Sequence, residues 1–442
     1  MKRLTVRSKS LLHAAICLLC VAPTAVAQTA LKAFDGYFRL TTGEVVTGEY
    51  FVEGGVGRFL YLDTEQFKRG GLFERIGDTL LRSVVPEGAV EIEFIPDPDG
   101  RFSALLWREQ GQAPVWAERV YAHRSREIRF RSADGTELQG RLLIPECAGP
   151  HPVVVSVHGS GPVNRYGGPH HTDFLRHGVA VLAYDKRGYT SDPQAWREPD
   201  YATLSADVAA AVRFAATQAE LDHDRIGIVG SSQAGWVVPR AAVEAPQTAF
   251  IILRAGAAVS AAGTVLHEVR QELRLEGLSG LDLDQAMELR AEIYGVAMRG
   301  APISATDPVV VPYLDKAWYR AAFGEGRISE RWSARWWQWA QRNLAVAGTP
   351  HLQQFGGAVL WFLAELDENV PLVSTRAALE RAFEASPGAD HEIVVLDGAL
   401  HSFLIPGAGG QPRFSPGFFD YMGGWMADRG FSRSACWTGG AP

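Results

Sequence analysis

The sequence predicts an α/β fold: a mostly parallel eight-stranded sheet covered by helices, carrying a helical cap insertion and preceded by a small β-rich N-terminal domain. Three observations predict it. From Glu127 onward, eight short β-branched or apolar runs are interleaved with helical patterns, the arrangement that places parallel strands under crossover helices. Before them lie shorter runs with partial period-two alternation, separated by glycine-bearing turns. One of the eight runs, Arg225 to Val229, passes through Gly230 into Ser232 and then into an apolar, helix-compatible stretch.

Residues 1–27 read as a signal peptide. Lys2, Arg3, Arg7 and Lys9 make a positive start, Leu11 to Val21 is an apolar core, and Ala25-Val26-Ala27 is a small-x-small cleavage site. The apolar run is short for a membrane span, so no integral span is expected and the chain is expected to be exported, periplasmic or secreted. Cleavage near Ala27 removes Cys17 and Cys20. Cys147 and Cys436 remain, and in an oxidising compartment they either pair or stay as two thiols.

Residues 28–122 form the β-rich segment. Tyr37 to Leu40, Glu44 to Phe51, Arg58 to Leu62, Ala89 to Ile95 and Phe102 to Trp107 read as strands. Val90, Ile92 and Phe94 share one face, with Glu91 and Glu93 on the other. A small antiparallel sandwich or open barrel is the expected result. No catalytic constellation appears in it.

Residues 123–430 form the α/β domain, followed by a tail at 431–442. Its strands are Glu127 to Phe130, Glu137 to Ile144, Val153 to Val157, Val179 to Tyr184, Arg225 to Val229, Ala249 to Leu253, Ala358 to Leu363 and Glu392 to Leu396. Leu204, Val208, Val212 and Ala215 mark one helix face. A cap insertion spans about 256–356, with helical patterns at Val265 to Leu275 and Leu283 to Val296 and then Trp318, Trp332, Trp336, Trp337 and Trp339. These tryptophans either line a pocket or bury the insertion against the sheet.

Composition narrows the partners. The chain has 442 residues, a net charge of −7, 47% hydrophobic residues and 21% charged, which gives no basic face for nucleic acid or an anionic membrane. A small-molecule ester or a short peptide is the expected partner. His170, His171 and His177 lack the carboxylate or cysteine spacing of a metal site, so no metal and no cofactor are expected.

The chemistry centres on Gly230-Ser231-Ser232-Gln233-Ala234. This is Gly-x-Ser-x-small, the nucleophile elbow that lifts a serine hydroxyl clear of a sheet. Gly230 and Ala234 keep side chains out of the places where the turn crowds itself. Ser231 has the wrong flanks and reads as a packing residue. Two strand ends supply partners in a fixed order. Ala358 to Ala364 runs into Asp367, with Glu365 and Glu368 as neighbouring alternatives. Val394 to Leu396 leads to His401. Ser232, Asp367, His401 is the α/β-hydrolase order of a catalytic triad and differs from the chymotrypsin and subtilisin orders. The loop His158-Gly159-Ser160-Gly161-Pro162 follows the third strand. In this layout the Ser160 and Gln233 N–H groups form the oxyanion hole. His158 is expected to brace that loop.

These motifs, together with Asp185-Lys186-Arg187-Gly188, Asp367-x-x-Val370-Pro371 and Gly398-Ala399-x-His401-x-Phe403, resemble secreted bacterial α/β-hydrolases close to the dienelactone-hydrolase and prolyl-oligopeptidase-like serine esterases. The resemblance covers about residues 125–428. Ala234 stands where relatives usually have glycine, and Tyr189-Thr190 where they often have a small residue and glycine. Asp185 and Arg187 are expected to brace loops beside the site. The resemblance implies an exported carboxylesterase working through an acyl-enzyme. A propeller-less serine aminopeptidase, an acyltransferase and a non-catalytic binding protein on the same scaffold are the alternatives.

Overall fold

The structure is a computed structural model that describes residues 34, 36–43, 45–53, 56–63, 70–85, 88–121, 123–166, 171–189, 195–304, 306–323, 334–386, 390–406 and 412–433. The signal peptide and its cleavage site, Trp332, His170 and Cys436 lie outside them. The chain forms two compact units. One comprises residues 1–124, 166–177 and 434–442, the other residues 125–165 and 178–433.

The first unit is a closed antiparallel barrel of β1 (Gly36–Leu40), β2 (Val45–Glu53), β3 (Val56–Asp63), β4 (Gly70–Arg75), β5 (Leu80–Val85), β6 (Val90–Pro96), β7 (Phe102–Glu109) and β8 (Val115–Tyr121), each paired with the next. The expected sandwich or open barrel is thereby corrected. β1 pairs with β2 on one side and β8 on the other, Leu40 lying opposite Ala117, so no strand edge is left open. Eight strands enclose a space that side chains alone can fill. Phe34 stacks on Phe102 and meets Phe94 edge-on, while Phe73 meets Trp107. Along β6, Val90, Ile92 and Phe94 are buried and Glu91 and Glu93 alternate with them. Residues 166–177 belong to this unit: Tyr166 joins the barrel's apolar cluster, and the short helix α1 (His171–Arg176) packs on β2. His171 is buried there.

The second unit has one eight-stranded sheet built from β9 (His123–Arg131), β10 (Glu137–Pro145), β11 (His151–Val157), β12 (Ala180–Tyr184), β13 (Leu221–Ser231), β14 (Thr248–Arg254), β15 (Ala358–Ala364) and β16 (His391–Leu396). Its order is β16-β15-β14-β13-β11-β12-β10-β9. Every pairing from β12 through β16 is parallel, and β10 runs antiparallel to β12. All seven residues of β15 are buried, as a strand covered on both faces requires. Its helices are α2 (Tyr201–Ala215), α3 (Ala234–Glu244), α4 (Ala261–Leu275), α5 (Gly280–Met298), α6 (Ala317–Phe323), α7 (Ala334–Asn343), α8 (Thr349–Leu352), α9 (Leu372–Glu384) and α10 (Phe418–Asp428). On α2 the stripe Leu204, Val208, Val212 and Ala215 is buried in the core, and the Asp200 side chain caps the helix by accepting from Thr203 N–H.

Helices α4 to α8 lie between β14 and β15 in the chain. They have an apolar cluster of their own that contains Leu283, Met287, Ile293, Trp318, Phe323 and Trp337. Asn343, fully buried, accepts a hydrogen bond from Tyr201 N–H at 2.8 Å and so ties the end of α7 to the start of α2.

Cys147 is disulfide-bonded. Arg433 donates from Nη1 to the carbonyls of Ala148 and Pro150, next to Cys147 in the chain. No helix among the described residues is long and apolar enough to cross a membrane.

Trp107 fills the barrel interior at 1% exposure. Trp107→Ala should therefore destabilise this unit by about 3–5 kcal/mol, read as a lower urea midpoint for the barrel transition.

Candidate active site

The C-terminal ends of the parallel strands carry the polar side chains, and three non-glycine residues there take positive φ: Ser232 at 54°, Ala255 at 46° and Phe403 at 62°. Such backbone is strained and persists only where its surroundings enforce it. Ser232 is held on both sides. Its N–H donates to the Arg254 carbonyl at 3.0 Å, and its carbonyl accepts from Gly235 and Ala257 N–H. The crowding explains the small residues. A Cβ on Gly230 would lie 2.4 Å from Ala234 Cβ, and one on Gly235 would lie 2.3 Å from the Ala257 carbonyl oxygen.

The acid and base loops are brought together. His401 Nδ1 donates to Asp367 Oδ1 at 2.9 Å, with Oδ2 at 3.0 Å. Asp367 Oδ1 also accepts from Asn369 and Val370 N–H at 2.9 and 2.7 Å, so its carboxylate is fixed by the start of the following turn. The two neighbouring glutamates do something else. Glu365 accepts from Gly398 N–H and Glu368 from His401 N–H, which braces the histidine loop from below. His267 on α4 donates from Nε2 to the Asp367 carbonyl.

Burial acts to lower the His401 pKa. The hydrogen bond and charge of Asp367, with Glu368 and Glu268 adding, outweigh it and leave the imidazole above the ordinary histidine value. Ser232 Oγ and His401 Nε2 are not hydrogen-bonded to each other among the described residues. In substrate-free sites such contacts often tighten only when the substrate is bound.

Opposite Ser232 lies the glycine loop after β11. A Cβ on Gly159 would lie 3.6 Å from Ser232 Cβ, so this loop passes within van der Waals reach of the serine turn. Neither Ser160 N–H nor Gln233 N–H donates a hydrogen bond within the described chain. His158 Nε2 donates to the Tyr184 carbonyl at 2.6 Å, and burial pulls its pKa down to about 3. It is a neutral brace. Asp185 is paired with Arg165, and Arg187 with Asp207 and Asp134, which joins the loops beside the site as expected of them.

A cavity of about 850 Å³ opens on Ser160, Ser232 and Gln233. Trp196, Tyr201, Trp236 and Trp339 form its aromatic wall, and Tyr201 stacks on Trp236 at 5.1 Å. The tryptophans of the insertion divide: Trp336 and Trp339 line the cavity, whereas Trp318 and Trp337 are buried among the helices. Two features of the site were not read from sequence. Glu268 on α4 faces the cavity, and Lys186 is buried behind Gln233. The amphipathic pattern of α4 was the available signal for Glu268. Lys186 stood unremarked between two residues read as braces.

The Asp367 contact sets the base, so Asp367→Asn should lower the His401 pKa, because the burial effect then prevails. Histidine-resolved NMR titration checks this without any substrate.

A model of the serine aminopeptidase S33 family matches residues 148–405, more than half of the chain. Thiohydrolase aneE of Aspergillus aculeatus is 33% identical over 111 residues, a stretch that covers 25% of this chain and 34% of that protein. The chain thus spans about a third of this curated relative. Among solved structures, DcsB in complex with its substrate analogue aligns with a TM-score of 0.45 at 17% identity, covering 69% of this chain and 99% of that one. Acetyl xylan esterase 1 from Thermoanaerobacterium sp. JW/SL YS485 aligns with a TM-score of 0.42 at 16% identity, covering 76% and 87%. The sheet order, the serine turn and the family match together assign the chain to the serine aminopeptidase S33 family of α/β-hydrolases.

Proposed function

We propose that this protein is an exported serine hydrolase that cleaves carboxylic esters through Ser232, His401 and Asp367. The observation that carries the reading is the strained Ser232, which lines the cavity together with Ser160 and Gln233, two residues whose N–H groups donate no hydrogen bond among the described residues. His401 Nε2 takes the Ser232 proton as Oγ attacks the ester carbonyl. Asp367 holds the Nδ1–H tautomer and stabilises the imidazolium. The developing oxyanion rests on Ser160 and Gln233 N–H. The imidazolium then protonates the leaving alcohol, and water deacylates the acyl-enzyme with His401 as base. The disulfide at Cys147 supports export, since such bonds persist in oxidising compartments. A thioester presents the same carbonyl to the same groups, and a relative is named for that class.

One observation favours a second reading, an aminopeptidase. Glu268 has no hydrogen-bond or ion-pair partner among the described residues and lies on the cavity wall with Ser232. Burial and the neighbouring Glu272 raise its pKa, against an opposing pull from His401. A substrate ammonium would relieve that cost.

A fluorophosphonate probe should label the mature protein, and Ser232→Ala should abolish both labelling and turnover. Asp367→Asn should cost about 10⁴-fold in kcat. Labelling that survives in Ser232→Ala overturns the assignment, and a folded wild type that never labels favours a binding protein. p-Nitrophenyl esters, acyl thioesters and aminoacyl anilides then choose the class. Glu268→Gln should depress anilide turnover selectively only if the aminopeptidase reading holds. The same variant removes a negative charge near His401, so the acid limb of kcat/KM should move to lower pH for every substrate.

A further inference from the structure

Lys186 is 3% exposed and has no carboxylate partner among the described residues. Its Nζ donates to the Gly159 carbonyl at 2.8 Å and to Gln233 Oε1 at 2.6 Å, and it lies 5.0 Å from the centre of the Trp196 ring. A buried ammonium without a counter-ion is costly, and a lysine whose only task was filling space would be better replaced by an apolar chain. Its two acceptors are not arbitrary. The Gly159 carbonyl belongs to the same peptide unit as Ser160 N–H, and Gln233 follows Ser232 and carries the second N–H assigned to the oxyanion hole.

Resting on the serine-hydrolase reading above, we propose that Lys186 is a positioning residue of the oxyanion hole, clamping its two walls together and strengthening the Ser160 donor through the Gly159–Ser160 peptide. A peptide is planar and trans, so fixing the direction of its carbonyl fixes its N–H in the opposite direction. An ammonium on the carbonyl oxygen draws electron density from the nitrogen and makes the N–H a stronger donor, as in other hydrogen-bonded chains. The Gln233 side chain is held at the same time, which steadies the turn that carries the second N–H. The effect falls on the tetrahedral intermediate, where the charge is on oxygen, and little on the neutral ester. Burial pushes the Lys186 pKa down to about 7.

The test is Lys186→Met, which keeps length and removes both charge and donors, with Lys186→Gln as a second variant that keeps one neutral donor. Each is counted by fluorophosphonate titration, so kcat is taken per reactive serine and misfolded protein drops out. The expected result is a fall in kcat of about 10- to 100-fold for Met, a smaller one for Gln, and KM within about 2-fold. An alkyl boronic acid, which forms a tetrahedral adduct, should weaken in parallel with kcat, while the product carboxylic acid should bind as before. Unchanged kcat per titrated serine overturns the proposal, and so does equal weakening of the boronic acid and the product acid. Should Ser232→Ala still be labelled, it is the hydrolase reading that fails, and the two failures are told apart by that control.

Discussion

The second unit is arranged around a backbone conformation that the chain resists. Ser232 takes φ 54° at the end of the central strand, where an L residue is disfavoured. Nothing at Ser232 itself compensates. The compensation is spread over its neighbours: Arg254 at the end of the next strand and Ala257 just after it make hydrogen bonds to Ser232, and Gly230, Ala234 and Gly235 remove the atoms that would collide. The same crowding fixes the register of β13 against β14, because Gly227 leaves room for the Phe250 ring, which a Cβ would meet at 2.2 Å. The strain is thus paid for by a well-packed sheet, and its product is a hydroxyl raised above that sheet.

Around the serine the charges are sorted by side. Asp367, Glu368 and Glu268 act on His401 and hold its pKa up against burial. Lys186 lies behind the glycine loop with no carboxylate bonded to it among the described residues, and His158 near it is kept neutral. This separation suits acyl transfer. In the proposed acyl transfer positive charge would develop on the imidazole and negative charge on the carbonyl oxygen, and each would meet its own side.

Much of this arrangement was legible in the sequence, and the limits have physical causes. All eight strands of the α/β sheet could be read, the inner ones most plainly because strands buried on both faces appear as uninterrupted apolar runs such as Ala358 to Ala364. Strand-end residues are legible for the same reason, and the structure joins Asp367 to His401 across 34 residues of chain. The barrel was read less fully. β4, β5 and β8 were missed. β4 opens on Gly70-Gly71, which weakens strand propensity. In β8 the usual alternation is reversed, with Trp116 40% exposed while Ala117 is buried inside. Without those strands the closure of the barrel was invisible. Lys186 and Glu268 were missed for a different reason. Lys186 acquires its meaning from partners 27 and 47 residues away and Glu268 from a cavity wall assembled from distant segments, and a single lysine or glutamate in a row of polar residues carries no pattern of its own.

The insertion helices show why size and polarity of the cavity belong to separate parts of the chain. The aromatic wall that starts at Tyr201 and Trp236 stands on α2 and α3, which are packed on the sheet and anchored by Asn343. Trp339 meets Tyr201 edge-on at 6.1 Å and continues that wall from α7. Glu268, by contrast, stands on α4, whose remaining contact with the base of the site is His267 on the Asp367 carbonyl. A change in α4 therefore alters both the charge a substrate meets and the support of the acid loop, whereas a change in Trp339 alters shape alone. On the hydrolase reading proposed above, selectivity between a neutral ester and a charged amine would turn on one helix, and the room available to the acyl group on another.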